Sequence, residues 1–279
     1  WQQRGISKDR IFFFGKNENW WGPPGKTGPC GPDTEMFFDT GHGPASARPN
    51  DASGRFVEIW NDVFMEYEKH ADGTRTPLAQ KNVDTGMGLE RTVAVLNGKA
   101  SVYESDLFEP LLAVIDQRAV QHELRASRIV ADHIRAATFL IADGVLPSNV
   151  DRGYVLRRLI RRALTYARTR KFQARALAAV AEATIANYHQ QYPELLAARD
   201  RVASTLEREE EKFGRTLDRG LREFERLRFD VKQITGLAAS SLASTYGFPL
   251  ELTKELAKER GIPFVREEEY WQDQARHQE

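Results

Sequence analysis

The chain has 279 residues, 41% of them hydrophobic and 29% charged, and its 40 basic and 40 acidic side chains cancel. That apolar content excludes a disordered chain, and the length exceeds what one hydrophobic core ordinarily serves, so two domains are expected. The single cysteine, Cys30, excludes an intrachain disulfide framework and a multi-cysteine zinc site, and no apolar run reaches the ~20 residues of a membrane-spanning helix, so a cytoplasmic setting is expected.

In chain order, the first ~110 residues read as strands and turns. Ile11 to Phe14 is a short apolar strand, Asn17 to Pro32 a Gly/Pro-rich loop, and Met36 to Asp39 a second strand. Gly41 to Gly54 is a polar surface loop, Phe56 to Glu68 a longer strand, and Asp72-Gly73 a hairpin turn. A strand then ends at Asp84 and turns through Gly86 and Gly88 into a helix, Leu89 to Leu96. From there the apolar period is helical: Leu107 to His122, Arg125 to Ala142, Tyr154 to Arg170 after a break over Gly144 to Gly153, and Val202 to Phe229. Leu242 to Leu256 contains the helix-breaking sequence TYGFP, Thr245 to Pro249.

Neutral overall, the chain is uneven in charge. Residues 118–176 hold 13 Lys and Arg against 4 Asp and Glu, whereas residues 1–117 hold 12 against 17. At about 100° per residue, Arg157, Arg158, Arg161, Arg162 and Arg168 fall at about 0, 100, 40, 140 and 20°, opposite an apolar stripe that includes Leu156, Ile160 and Leu164. A charged helix face is most often simply solvated. Here no acid lies between Arg152 and Lys171 to pair with it along the helix, and Arg dominates over Lys, which suits phosphate contacts with a nucleic acid.

Lys26-Thr27 does not form a phosphate loop, because Trp20 stands where that pattern needs glycine and two prolines remove backbone donors. Cys30, with no neighbouring His to ionise it, reads as packing. Asp84-Thr85-Gly86 alone could be a turn and helix cap. The sharper reading joins it to Arg91, one turn into the next helix and able to reach a phosphate, and to Asn61 and Val63, which alternate on one strand and so share a face.

Asn19-Trp20-Trp21, TGPCGPDTE (Thr27 to Glu35), EIWNDVFM (Glu58 to Met65), VDTGMGLERT (Val83 to Thr92) and ADHIRAATFLIADGVLPSNVDRGYVLRRLIRRA (Ala131 to Ala163) resemble the alanyl-tRNA synthetase family, in order and across essentially the whole chain. DTGMGLER resembles motif 3 of class II synthetases. The resemblance implies an alanine-tRNA ligase that activates alanine with ATP and Mg²⁺ and transfers it to the 3′ end of tRNA(Ala). It implies that Asp84 holds the alanine ammonium, that Trp21, Asn61, Val63 and Gly86 form the side-chain pocket, and that Gly88 and Arg91 serve ATP, with Arg91 on the γ-phosphate. It further implies that Asn149 reads a G·U wobble pair in the tRNA acceptor stem, with Arg157, Arg158, Arg161 and Arg162 on phosphates. Ser244 stands where the family usually has an Asp that assists Asn149, Asp33 where many relatives have Cys, and Gly22-Pro23-Pro24 is an insertion.

The expected fold class is therefore α+β: residues 1–117 as the C-terminal part of a class II antiparallel-sheet catalytic domain, and residues 118–279 as an all-α tRNA-recognition domain. The family's motifs 1 and 2 and its editing domain are not in the sequence, so an internal fragment is expected, with a segment carrying motifs 1 and 2 supplied from elsewhere. No metal site is expected in the chain, and no membrane partner. The alternatives are a non-catalytic RNA-binding module derived from such an enzyme, and a scaffold whose basic stripe meets an acidic protein.

Overall fold

The computed structural model describes residues 1–276 apart from Pro24, Ala174 and Lys232, and excludes the side chains of residues 228–231. It divides into two compact units, Trp1–Leu107 and Phe108–Glu279, so the units meet ahead of the expected boundary at 117/118. The reason is Phe108, 2% exposed with the Arg135 guanidinium 4.2 Å above its ring, which anchors the following helix to the second unit.

The first unit is an antiparallel sheet in the order β1 (Trp20–Trp21), β2 (Gly28–Asp39), β3 (Phe56–Lys69), β4 (Arg75–Met87), followed by helix α1 (Leu89–Leu96). The β3–β4 hairpin turns at Asp72-Gly73 as expected: Gly73 is left-handed (φ 85°) and the Asp72 carboxylate accepts from the Thr74 amide at 2.9 Å. Two expectations fail nearby. Ile11 to Phe14 belongs to no strand; the Phe14 amide donates to the Asn19 side chain at 3.2 Å, and Phe12 stacks on Phe14 at 6.4 Å while Phe13 is 91% exposed. Apolarity without a neighbouring backbone makes no ladder.

Conversely, the Gly/Pro-rich stretch to Pro32 is not all loop, because β2 begins at Gly28. Pro29 pairs with Glu68 beyond the reach of β1, and Pro32, opposite Trp20, falls in a register shift between Cys30 and Asp33 that also lets Gly31 lie against the Phe64 carbonyl. A Cβ at Gly31 would fall 1.8 Å from that oxygen, which explains the glycine. Cys30 is fully buried, in keeping with a packing role.

The second unit is helical: α2 (Glu109–Arg118), α3 (Leu124–Ala142), α4 (Asp151–Thr169), α5 (Ala176–Tyr188), the short α6 (Glu194–Ala197), and α7 (Arg199–Val231). It continues through β5 (Ile234–Thr235), α8 (Gly236–Tyr246), α9 (Leu250–Glu259), β6 (Phe264–Val265) and α10 (Glu267–Arg276), with β5 and β6 paired in parallel. Val130, Ile134, Ala137 and Ile141 of α3 repeat at helical spacing and pack on α4, which buries Leu156, Ile160, Ala163 and Leu164. α7 buries Leu206, Phe213, Leu217 and Phe224.

Gly247 ends α8 in the left-handed conformation (φ 68°), and the Phe248 amide donates back to the Leu242 carbonyl at 3.2 Å, closing the helix before Pro249 starts α9. No described helix is long and apolar enough to cross a membrane.

Candidate functional sites

The β2–β3–β4 register places two rows of residues on one face. Asp33, Val63 and Asp84 are cross-strand neighbours, and so are Glu35, Asn61 and Gly86. Because directly paired residues of an antiparallel sheet point the same way, Asp33, Glu35, Asn61, Val63, Asp84 and Gly86 share a surface. Val63 is 6% exposed, while β4 is exposed at all of its positions but Leu78.

Asn61 Nδ2 donates to Asp33 and Glu35 at 3.4 Å each, so the amide is aimed by two carboxylates, and its Oδ1 is buried without a hydrogen-bond partner. Burial, followed by the Glu58 and Asp33 charges and against a hydrogen bond from Asn50, pushes the Glu35 carboxyl above its usual range. The face is thus acidic around a small floor: nothing lies within 4 Å of where a Cβ at Gly86 would be.

β4 does not end at Asp84. The ladder continues to Met87 opposite Trp60, and Gly86 lies within the strand rather than in a turn. Only Gly88 breaks, its amide donating to the Ile59 carbonyl at 3.0 Å and its carbonyl accepting from Thr92 at 2.9 Å to start α1. Arg91, on that first turn, donates to the Glu58 carbonyl at 3.0 Å and pairs with the Glu58 carboxylate at 3.2 Å; half of its side chain remains exposed. Trp21 sits on β1 opposite Gly31, 37% exposed.

Asp33 and Glu35 join this surface although the sequence reading gave them no role there. Their i, i+2 spacing was the available signal, hidden by assigning the residues up to Pro32 to a loop. Among the described residues no group of three His, Cys, Asp or Glu could hold a metal ion.

The second cluster lies on α4. Ser148 and Gly153 fold the Pro147–Asn149 loop onto the helix start: the Ser148 amide donates to the Gly153 carbonyl at 3.0 Å, and a Cβ at Gly153 would fall 2.5 Å from the Leu146 carbonyl. Asn149 is exposed at the tip. Ser244 is exposed on the last turn of α8, its hydroxyl donating to the Ser240 carbonyl at 2.9 Å.

Among the described residues no acid of α4 pairs with the arginine stripe, as the sequence indicates, but acids reach it from elsewhere in the fold. The acids come from other helices: Glu209 of α7 faces Arg157 and Arg161 at 3.7 and 3.8 Å, Glu251 faces Arg158 at 3.9 Å, and Glu255 takes Arg162 in a fork at 2.7 and 2.5 Å. The side chains of Arg157, Arg161 and Arg162 are 14, 16 and 31% exposed, and that of Arg158 is 41% exposed. Arg157 and Arg161 border the apolar stripe by their helical angles, which draws them under α7.

The entire chain, residues 1–279, matches the family described as tRNA synthetases class II (A), and the chain belongs to that family. Within it, the chain is similar to alanine–tRNA ligases: 49% identical over 278 residues to that of Treponema pallidum and 44% over 274 residues to that of Borrelia hermsii, in both cases over 94% of this chain and 46% of the relative. The ligase of Thermotoga maritima is 41% identical over 290 residues, 99% of this chain and 34% of the relative. The chain spans about half the length, or less, of these curated relatives.

Proposed function

We propose that these residues belong to an alanine-tRNA ligase, with Trp1–Leu107 contributing the alanine site and part of the ATP site and Phe108–Glu279 reading the acceptor stem of tRNA(Ala). The observation that carries the reading is the shared face of Asp84, Val63, Asn61 and Gly86, with Arg91 one helical turn past the end of the same strand.

An ammonium needs a fixed carboxylate, and Asp84 supplies one beside Asp33 and Glu35, whose field adds to it. A small side chain needs a shallow apolar floor, which Val63 and the bare backbone of Gly86 provide. ATP enters with Mg²⁺ as a substrate pair; Arg91, already aimed by Glu58, neutralises terminal phosphate charge. Pyrophosphate leaves as the alanine carboxylate bonds to the α-phosphate. Gly88 lets the backbone come close to the nucleotide, and Trp21 closes the pocket. In the helical unit Asn149 and Ser244 are the base-reading positions, and Arg158, the most open of the four paired arginines of the stripe, meets a phosphate. The role assigns the protein to translation in the cytoplasm.

The test is alanine-dependent ATP–pyrophosphate exchange by the 279-residue chain, measured beside binding of tRNA(Ala) at two salt concentrations. Exchange by the chain supports a complete activation site. Salt-sensitive binding without exchange fits a chain that holds only part of the ATP site, and the absence of both activities rejects the reading.

A further inference from the structure

The Asn149 loop and the Gly247 turn are remote in sequence, yet α4 fastens both to one buried carboxylate. Glu209, 7% exposed, lies between Arg157 and Arg161, which are stacked at i and i+4. The separations of 3.7 and 3.8 Å are ion-pair distances, and Arg157 Nε, Arg161 Nε and Glu209 Oε2 are buried without hydrogen-bond partners. Charge holds the pair of guanidinium groups in place, and their remaining donors point away from Glu209.

Arg157 uses those donors on the loop: Nη2 donates to the Pro147 carbonyl at 3.1 Å and Nη1 to Asn149 Oδ1. Arg161 Nη1 donates to the Gly247 carbonyl at 2.9 Å, its guanidinium lying 4.8 Å above the Phe213 ring. A guanidinium carries donors and no acceptor, so the Asn149 atom that meets it is the amide oxygen. The Asn149 NH₂ is then left to face outward. In an RNA minor groove it would find acceptors, pyrimidine O2, purine N3 and the 2′-hydroxyl.

We propose that Arg157 and Glu209 are positioning residues that set Asn149 to donate hydrogen bonds into the minor groove of an RNA duplex, while Arg161 ties the Gly247 turn to the same carboxylate. The inference rests on the reading of Asn149 as a base-reading residue. It replaces a phosphate contact for Arg157 with an orienting one, and it gives Glu209 a part in specificity that its place in the core of another helix conceals.

The experiment uses the full chain and two acceptor-stem RNA hairpins that differ only in one pair, G·U or G·C. Dissociation constants are measured for the wild type, Asn149→Ala, Glu209→Gln, Arg157→Lys and the Asn149→Ala/Glu209→Gln double variant. A G·U preference of about tenfold is expected for the wild type, falling below about twofold in every variant, with the larger loss on the G·U hairpin. The double variant should lose no more than Asn149→Ala alone, since both remove the same interaction.

Retention of the preference by Glu209→Gln and Arg157→Lys, together with its loss in Asn149→Ala, overturns the positioning role and leaves the base-reading role standing. Retention by Asn149→Ala, or no preference in the wild type, overturns the reading beneath it. An equal loss on both hairpins in Arg157→Lys makes Arg157 a general RNA contact and also overturns the proposal. Should Glu209→Gln fail to fold by circular dichroism, Arg157→Lys decides alone, because it keeps the charge beside Glu209 and removes only the fork.

Discussion

Asp84 and Val63 are direct cross-strand partners, and Asp33 completes their row from the other side of β3. A buried apolar side chain thus lies between two carboxylates, one of them on an exposed strand. Replacing Asp84 by Asn keeps the shape and removes the charge. On the proposed function, alanine activation is expected to fall about tenfold to a hundredfold, the scale of a lost charge-assisted bond, while the melting temperature stays within about 2 °C. Pyrophosphate exchange and thermal melting measured on one preparation decide it; unchanged exchange would remove Asp84 from the site.

Gly31 and Gly86 separate backbone need from ligand need. Gly31→Ala drives a methyl to within 1.8 Å of the Phe64 carbonyl, a backbone atom that cannot swing aside, and should destabilise the sheet by about 3 kcal/mol or more. Gly86→Ala meets nothing within 4 Å and should leave stability unchanged or slightly raised. On the proposed function its expected effect is a raised KM for alanine, because the added methyl would occupy the pocket floor. Denaturant unfolding of both variants, with alanine titration of the second, distinguishes the two roles.

The contrast shows what the sequence could and could not disclose. β3, the Asp72-Gly73 turn, α1 and the TYGFP break were legible because each depends on local signals: alternation, a left-handed glycine, a helical period. The start of β2 was not, since its prolines read as loop until a bulge and the short reach of β1 accommodate them. Asn61 and Val63 could be placed on one face by counting, but their alignment with Gly86 and Asp84 is a register, which only strand pairing fixes. The arginine stripe was found by arithmetic, but its ion-pair partners were not legible: Glu209, Glu251 and Glu255 come from α7 and α9, and no spacing within α4 announces them.

Tyr166, 1% exposed, donates to Glu259 at 2.6 Å, and burial together with the Glu255 carboxylate pushes its pKa up to about 12. An unfolded tyrosine ionises near pH 10, so above that pH the unfolded state loses a proton that the folded state keeps. The stabilisation tied to this proton is complete below about pH 10 and disappears as pH rises toward 12. Melting followed by helical circular dichroism should fall between pH 10 and 11.5, approximate limits set by these two values, and fall less steeply in Tyr166→Phe. An identical slope in the variant would assign the alkaline loss to other groups.

Arg158 and Arg162 share α4 yet should fail in different ways. Arg162 is forked onto Glu255 and also touches His133 Nε2 at 2.6 Å, while Glu255 is held below its ordinary pKa because Arg162, Tyr166 and Arg125 outweigh its burial. Its contribution is present above the usual carboxylate range and is lost as pH falls through the lowered value. Arg162→Ala leaves that carboxylate with Tyr166 and with Arg125 at 2.6 Å, so about 2 kcal/mol of stability should disappear and the acid limb of the pH profile should flatten. Arg158 only approaches Glu251 at 3.9 Å and is more open, so Arg158→Ala should change stability by less than about 0.5 kcal/mol. Its cost should appear instead in tRNA binding, with a salt slope shallower by about one. Urea unfolding and salt-dependent binding of both variants test the division; a stable Arg162→Ala that has lost RNA affinity would return Arg162 to the phosphate-facing stripe.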